Sequence, residues 1–172
     1  SFNNAQKWSV PFESVGGWKY EDNGATFILN SDKQTNLSYN TTIGNNFQAT
    51  YAYNPPVWYK YQEYCSDLRV KFWVKDINNQ SIIGANISKY GRTYTGKVDF
   101  TVAKMQLFSQ YKGETTLIAE KDISDNYPKS PVEFKFDNAD YRLTLAFGKY
   151  ELKADIGQAP GDIGTYIEGN PA

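Results

Sequence analysis

One stretch, Arg69-Val70-Lys71-Phe72-Trp73-Val74-Lys75, alternates strictly along its whole length. A β-strand sends successive side chains to opposite faces, so this alternation predicts a strand with two unlike sides. Val70, Phe72 and Val74 share one side. Arg69, Lys71, Trp73 and Lys75 share the other. A core does not accept three cations, so the second side faces water. Trp73 therefore stands on the solvent side of its strand, among positive charges.

The remaining chain favours the same kind of element. Aromatic residues make up 16% of the 172 positions, with 14 Tyr, 10 Phe and 4 Trp. Val, Ile and Thr are plentiful beside them, and that bias suits pleated, half-buried surfaces. The length is that of one domain with a full core, and no run suggests a second. Residues 1–172 are read as one domain, with 1–8 a loose lead-in and 155–172 a closing segment rich in Gly and Pro.

Composition also excludes. A net charge of −1 and a pI near 5.5 give no electrostatic reason to expect nucleic acid or an anionic membrane as partner. No window approaches the roughly 20 apolar residues of a membrane span. His is absent, which removes every His-based triad and the usual zinc ligand. Cys65 is the single cysteine, so no internal disulfide can form. The opening Ser1 reads as a processed start. Abundant Tyr, Asn and Thr point to an extracellular or cell-surface setting, as part of a larger secreted protein.

Taken in order, the chain reads as short strands between turns. Trp8 to Phe12 reads as an edge strand, because Pro11 is tolerated at edges. Trp18 to Tyr20 and Thr26 to Leu29 flank Asp22-Asn23-Gly24, a hairpin signal. Trp18 and Phe27 are expected to anchor the core. Leu37 to Tyr39 is a short strand, and Phe47, Ala49, Tyr51 and Tyr53 fall in phase. Trp58 to Tyr64 is dense in aromatics without a period and reads as a connection laid over a sheet end. Ile83, Ala85 and Ile87 alternate, and Tyr90 to Gly96 reads as a loop. Val98, Phe100 and Val102 start in phase and slip to Met105 and Leu107, which predicts a bulge or a break near Ala103-Lys104. Thr115 to Ala119, Val132 to Phe136, Tyr141 to Phe147 and Tyr150 to Ala154 are further strands, with Gly148-Lys149 a tight turn.

About eleven short strands and no helix make the fold all-β. Clean alternation means antiparallel sheets with one packed and one solvated face. Two such sheets form a β-sandwich, and this strand count favours a jelly roll over an immunoglobulin fold.

Several segments carry a family likeness. Phe12 and Trp18 before Asp22-Asn23-Gly24 and Phe27 resemble the entry hairpin of concanavalin A-like jelly rolls. The long strand into Asp76-Ile77-Asn78-Asn79 is similar to that family's central strand and turn. Val132 to Tyr150 resembles its late hairpin, and Gly161 to Gly164 its closing Gly-x-x-Gly. The group includes laminin-G-like domains, legume-type lectins, glycoside hydrolases and non-catalytic carbohydrate-binding modules. The resemblance implies a glycan-facing sheet.

Candidate ligand-binding residues are aromatic rings with polar company. A flat indole on a rigid strand, beside hydrogen-bond donors, suits the face of a sugar ring. Trp73 with Arg69, Lys71 and Lys75 is the first such group; the alternatives are a covered ring and cations that blunt an edge strand. Trp58, Tyr59, Tyr61 and Tyr64 follow the stiff Pro55-Pro56. Such rings offer large contact area with few rotors to freeze, or simply pack over a sheet end. Tyr90, Arg92 and Tyr94 repeat this chemistry on a smaller scale. Asp76, Asn78 and Asn79 supply oxygens that suit calcium, and equally a turn in which Asx side chains bond their own backbone. Asp137, Asn138 and Asp140 offer the same choice.

The resemblance to hydrolases brings a Glu-x-Asp-x-x-Glu pattern with it, and that spacing is absent here. Glu114, Glu120, Glu133, Glu151 and Glu168 are scattered, and no carboxylate pair stands out. The sequence therefore reads first as a non-catalytic carbohydrate-binding module for a polysaccharide or oligosaccharide. An adhesion or assembly domain using the same aromatics as a protein interface is the alternative. A glycan hydrolase or lyase is the third.

Overall fold

The computed structural model describes residues 12–15, 17–21, 26–31, 33–40, 48–49, 57–58, 67–76, 78–89, 91–124 and 131–157. The chain divides into two compact units, Ser1–Gln62 and Glu63–Ala172. Among the described residues every paired strand is antiparallel and there is no helix.

Among the described residues the first unit holds three two-stranded pairs. β1 (Phe12–Val15) pairs with β4 (Asn36–Tyr39), and β2 (Trp18–Glu21) with β3 (Thr26–Leu29). β5 (Gln48–Ala49) pairs with β6 (Val57–Trp58). The β2–β3 hairpin is the one expected from Asp22-Asn23-Gly24, with Trp18 opposite Leu29. The Phe12 ring meets Phe27 edge-on at 5.3 Å and Tyr39 at 5.5 Å. Trp18 and Phe27 are half-buried rather than sealed, so they anchor a small apolar patch. Trp58 was expected to open a connection laid over a sheet end; together with Val57 it forms a strand, because β5 offers a partner.

The second unit is a sandwich of two four-stranded sheets. β7 (Leu68–Val74), β12 (Val132–Ala139), β13 (Arg142–Phe147) and β14 (Tyr150–Asp155) make one, in the order β14-β13-β12-β7. β8 (Ile82–Lys89), β9 (Arg92–Asp99), β10 (Lys104–Tyr111) and β11 (Glu114–Asp122) make the other, in the order β11-β10-β9-β8. Alternate residues of both sheets point inward, and Val98, Met105, Leu107, Phe134, Phe136, Leu143, Leu145 and Phe147 are fully buried between them. This is the one-face-packed, one-face-wet arrangement expected of alternating strands.

β7 lies at the edge of its sheet and is oriented as its sequence requires. Leu68, Val70, Phe72 and Val74 pack against the core. Phe72 stacks on Phe134, its cross-strand neighbour, with centroids 4.6 Å apart. Across the sandwich, Phe100 meets Phe147 edge-on at 5.5 Å. Gly96 fits beneath Phe136 only because it has no side chain, since a Cβ there would stand 2.7 Å from Cδ2 of the ring.

Of the two readings of the phase slip between Phe100 and Met105, the break is the one found, as a chain reversal between β9 and β10. Met105 returns opposite Val98, and Ala103 takes a left-handed φ of 54° in the turn. The real irregularity lies at Leu107/Phe108, where β10 and β11 shift register. Residues 90–96 were expected to form a loop, but β9 begins at Arg92, because Arg92 to Thr95 pair with both β8 and β10 or with β8 alone. Tight hairpins close the other sheet. Asp140 and Tyr141 both have positive φ, the signature of a type I′ turn, and Gly148-Lys149 follows with Gly148 at 55°.

Candidate functional site

Alternation along β7 places Arg69, Lys71 and Trp73 on the outer face of the sheet, as expected. Trp73 is 60% exposed, the most open large apolar side chain among the described residues. The register then sets β12 beside it: Trp73 stands opposite Glu133, Lys71 opposite Lys135, and Arg69 opposite Asp137. From Trp73 to Arg69 this strip is about 13 Å long at the usual strand rise.

Ion pairs knit the strip together. Lys71 Nζ lies 2.6 Å from Glu133 Oε2. Arg69 donates from Nε to Asp137 Oδ1 at 2.7 Å and from Nη2 to Oδ2 at 3.2 Å. Lys135 Nζ stands 3.5 Å from the same carboxylate. The hydrogen bond from Arg69 to Asp137, and then the charge of Asp137, raise the guanidinium's pKa above its ordinary value. Farther along the same face, Lys153 pairs with Glu151 and Arg142 with Asp155, each at 2.7 Å. Arg142, Lys153, Ala154 and Asp155 line a shallow depression there.

The arrangement suits recognition. The indole is largely open to solvent, and charged donors and acceptors lie beside it. Hydroxyl groups can accept from Lys71 or Arg69 and donate to Glu133. The arrangement suits glycoside hydrolysis poorly. Glu133 and Asp137 are four residues apart on one strand, about 13 Å. That exceeds the roughly 5–9.5 Å between paired glycosidase carboxylates.

The other expected site residues fall differently. Arg92 stacks on the Tyr111 ring at 4.1 Å, a partner sequence alone does not reveal. Tyr94 was expected on a ligand-facing loop; it is in the core, 9% exposed, because β9 turns that position inward. Trp58 lies in β6, and its side chain is outside the described residues. Tyr59, Tyr61, Tyr64 and Tyr90 also lie outside them.

Asp76, Asn78 and Asn79 are exposed beyond the end of β7. Asn78 Oδ1 accepts from the Gln80 N–H at 2.9 Å and from the Ser81 hydroxyl at 3.0 Å, as an Asx turn requires. Among the described residues no group of three or more His, Cys, Asp or Glu is placed to hold a metal ion.

The sequence reading missed Lys135 and Asp137 as members of the Trp73 strip. Alternation of Val132, Phe134 and Phe136 did turn Glu133 and Lys135 outward. What it lacks is the pairing of β12 with β7, which are far apart in the chain.

No protein-family model and no curated protein matches the sequence. Among solved structures, the chain is similar to the carbohydrate binding module CBM66 from Bacillus subtilis. The match covers 85% of this chain and 80% of that one, with a TM-score of 0.52 and 15% identity. The likeness is one of fold. It agrees with the all-β sandwich expected from alternation.

Proposed function

We propose that this protein is a non-catalytic carbohydrate-binding module in which a polysaccharide sugar ring stacks on Trp73. The observation that carries the reading is the indole itself: 60% exposed, on a paired strand, next to the Lys71–Glu133 ion pair. A buried structural Trp would not be presented this way. The similarity of fold to a carbohydrate binding module supports the reading. Arg69, held by Asp137, would extend the contact to a neighbouring sugar. Assignment to the concanavalin A-like group, and a place at or outside the cell surface, belong to the same proposal.

The test is saturable binding to immobilised polysaccharides. Trp73→Ala should abolish binding while the far-ultraviolet circular dichroism is unchanged. Binding that survives the substitution would refute the Trp73 site.

The second reading, an assembly domain, is favoured by exposed apolar residues elsewhere on the sandwich, Ile82 at 58% and Val102 at 55%. It requires concentration-dependent self-association and no glycan response.

A further inference from the structure

We propose that the glycan taken by the Trp73 strip is anionic, bearing carboxylate or sulfate groups. This rests on the Trp73 reading and adds the charge of the ligand. The paired strip carries three cations, Arg69, Lys71 and Lys135, against two carboxylates, Glu133 and Asp137, and an exposed Lys75 follows just beyond the end of β7. The chain as a whole has 18 basic and 19 acidic residues, so this excess is local.

The pairing shows where the excess lies. Lys71 is matched by Glu133. Arg69 and Lys135 share one carboxylate, Asp137, whose side chain is only 11% exposed. With both of its oxygens held by Arg69, Asp137 can accept little more, and Lys135, 3.5 Å from it and within electrostatic reach of Glu151, is shared between two carboxylates that each have a nearer cation. Lys75, two residues beyond Trp73, is exposed and makes no ion pair among the described residues. Asp76 is also exposed and makes none with it. Along the chain, ammonium groups therefore flank the indole at positions 71 and 75. A sugar stacked on Trp73 with an acidic substituent places that charge within reach of a cation on either side. A neutral sugar leaves Lys75 without an anionic partner.

The excess serves solubility less well than recognition. Cations on an edge strand do discourage strand pairing. That role needs Lys71 or Arg69 alone; it does not account for Lys135, which is on an interior strand of the sheet.

The experiment measures binding of the full chain to four polymers: a neutral polysaccharide, a polyuronate, a sulfated polysaccharide and sugar-free polyaspartate. Each is measured near 0.1 M and near 1 M salt, between which the screening length falls from about 10 Å to about 3 Å. The proposal expects the polyuronate or the sulfated polymer to bind more tightly than the neutral one. It expects that preference to fade at high salt, Trp73→Ala to abolish binding, and Lys75→Gln and Lys135→Gln each to weaken it roughly two- to fivefold. The better of the two acidic polymers identifies the substituent.

Tight, salt-insensitive binding of the neutral polymer alone overturns the anionic ligand and leaves the Trp73 site standing. Equal binding of polyaspartate, unaffected by Trp73→Ala, overturns it as plain charge attraction. No binding to any polysaccharide overturns both the charge assignment and the carbohydrate reading.

Discussion

Arg69 grips Asp137 across the β7–β12 register with two hydrogen bonds, and the two partners are unequally exposed: 63% of the Arg69 side chain is open to water against 11% of the Asp137 side chain. The inequality makes the pair asymmetric to mutation. Removing Arg69 leaves a largely buried carboxylate with Lys135 at 3.5 Å as its remaining ion-pair partner. Removing Asp137 leaves a guanidinium that water can solvate. Arg69→Met should therefore lower Tm by several degrees, and by more than Asp137→Asn does. Equal losses, or the reverse order, in thermal melts of the two variants would contradict this account.

Gly96 allows the sheets to approach at Phe136. Adding a methyl group places a Cβ 2.7 Å from Cδ2 and 3.0 Å from two further ring atoms. Neither the ring nor the strand has room to retreat, because Phe136 is fully buried. Gly96→Ala should destabilise by about 1–3 kcal/mol. Urea unfolding should show a lower midpoint with an unchanged slope. Adding Phe136→Leu should restore part of the loss, since it removes the obstructing ring edge.

Asn138 is fully buried on β12, and neither Nδ2 nor Oδ1 of its carboxamide has a hydrogen-bond partner among the described residues. A buried amide without partners costs about 1–3 kcal/mol. Leu has a similar branched outline and nothing to satisfy. Asn138→Leu should be neutral or stabilising by up to about 2 kcal/mol. A loss larger than about 1 kcal/mol in chemical denaturation would mean that the amide is satisfied in solution.

Asp99 gives the second unit a defined response to acid. Burial pushes its pKa up. The Thr101 hydroxyl and N–H and the Lys97 ammonium outweigh that and hold it below the usual carboxylate value. A depressed folded-state pKa adds stability above the unfolded value, near 3.9, and that stability is lost as pH falls through the folded value. Urea midpoints measured from neutral pH downward should hold steady and then fall below about pH 4. Asp99→Asn should be less stable at neutral pH and should flatten the fall. An unchanged acid slope in this variant would remove Asp99 from the explanation.

Trp73 should contribute to binding without contributing to folding. An exposed side chain on a wet sheet face has few contacts to lose. Trp73→Ala should shift stability by no more than about 0.5 kcal/mol. In the intact protein, a saturating glycan should shift the tryptophan emission to shorter wavelength, and Trp73→Ala should remove that change. A shift that persists in the variant would assign it to another Trp.

Much of this protein was legible from alternation alone. The period of two from Arg69 to Lys75 determined both the strand and the direction of its indole, because a strand has only two sides and a core rejects three cations. The same rule placed Val132, Phe134 and Phe136 inside and Glu133 outside. It could not choose between a bulge and a break where the chain reverses: Phe100 to Met105 keeps an apolar pattern through a turn, and hydrophobicity does not record a change of direction. It failed at Tyr94, because a short aromatic segment with Gly on either side reads as a loop until neighbouring strands claim it. What only the tertiary structure decided is the company Trp73 keeps. Glu133, Lys135 and Asp137 reach β7 through hydrogen bonds between backbones far apart in sequence, and backbone pairing is nearly blind to side chains. The local pattern could say that an indole faces water; the pairing of β7 with β12 says which charges stand beside it.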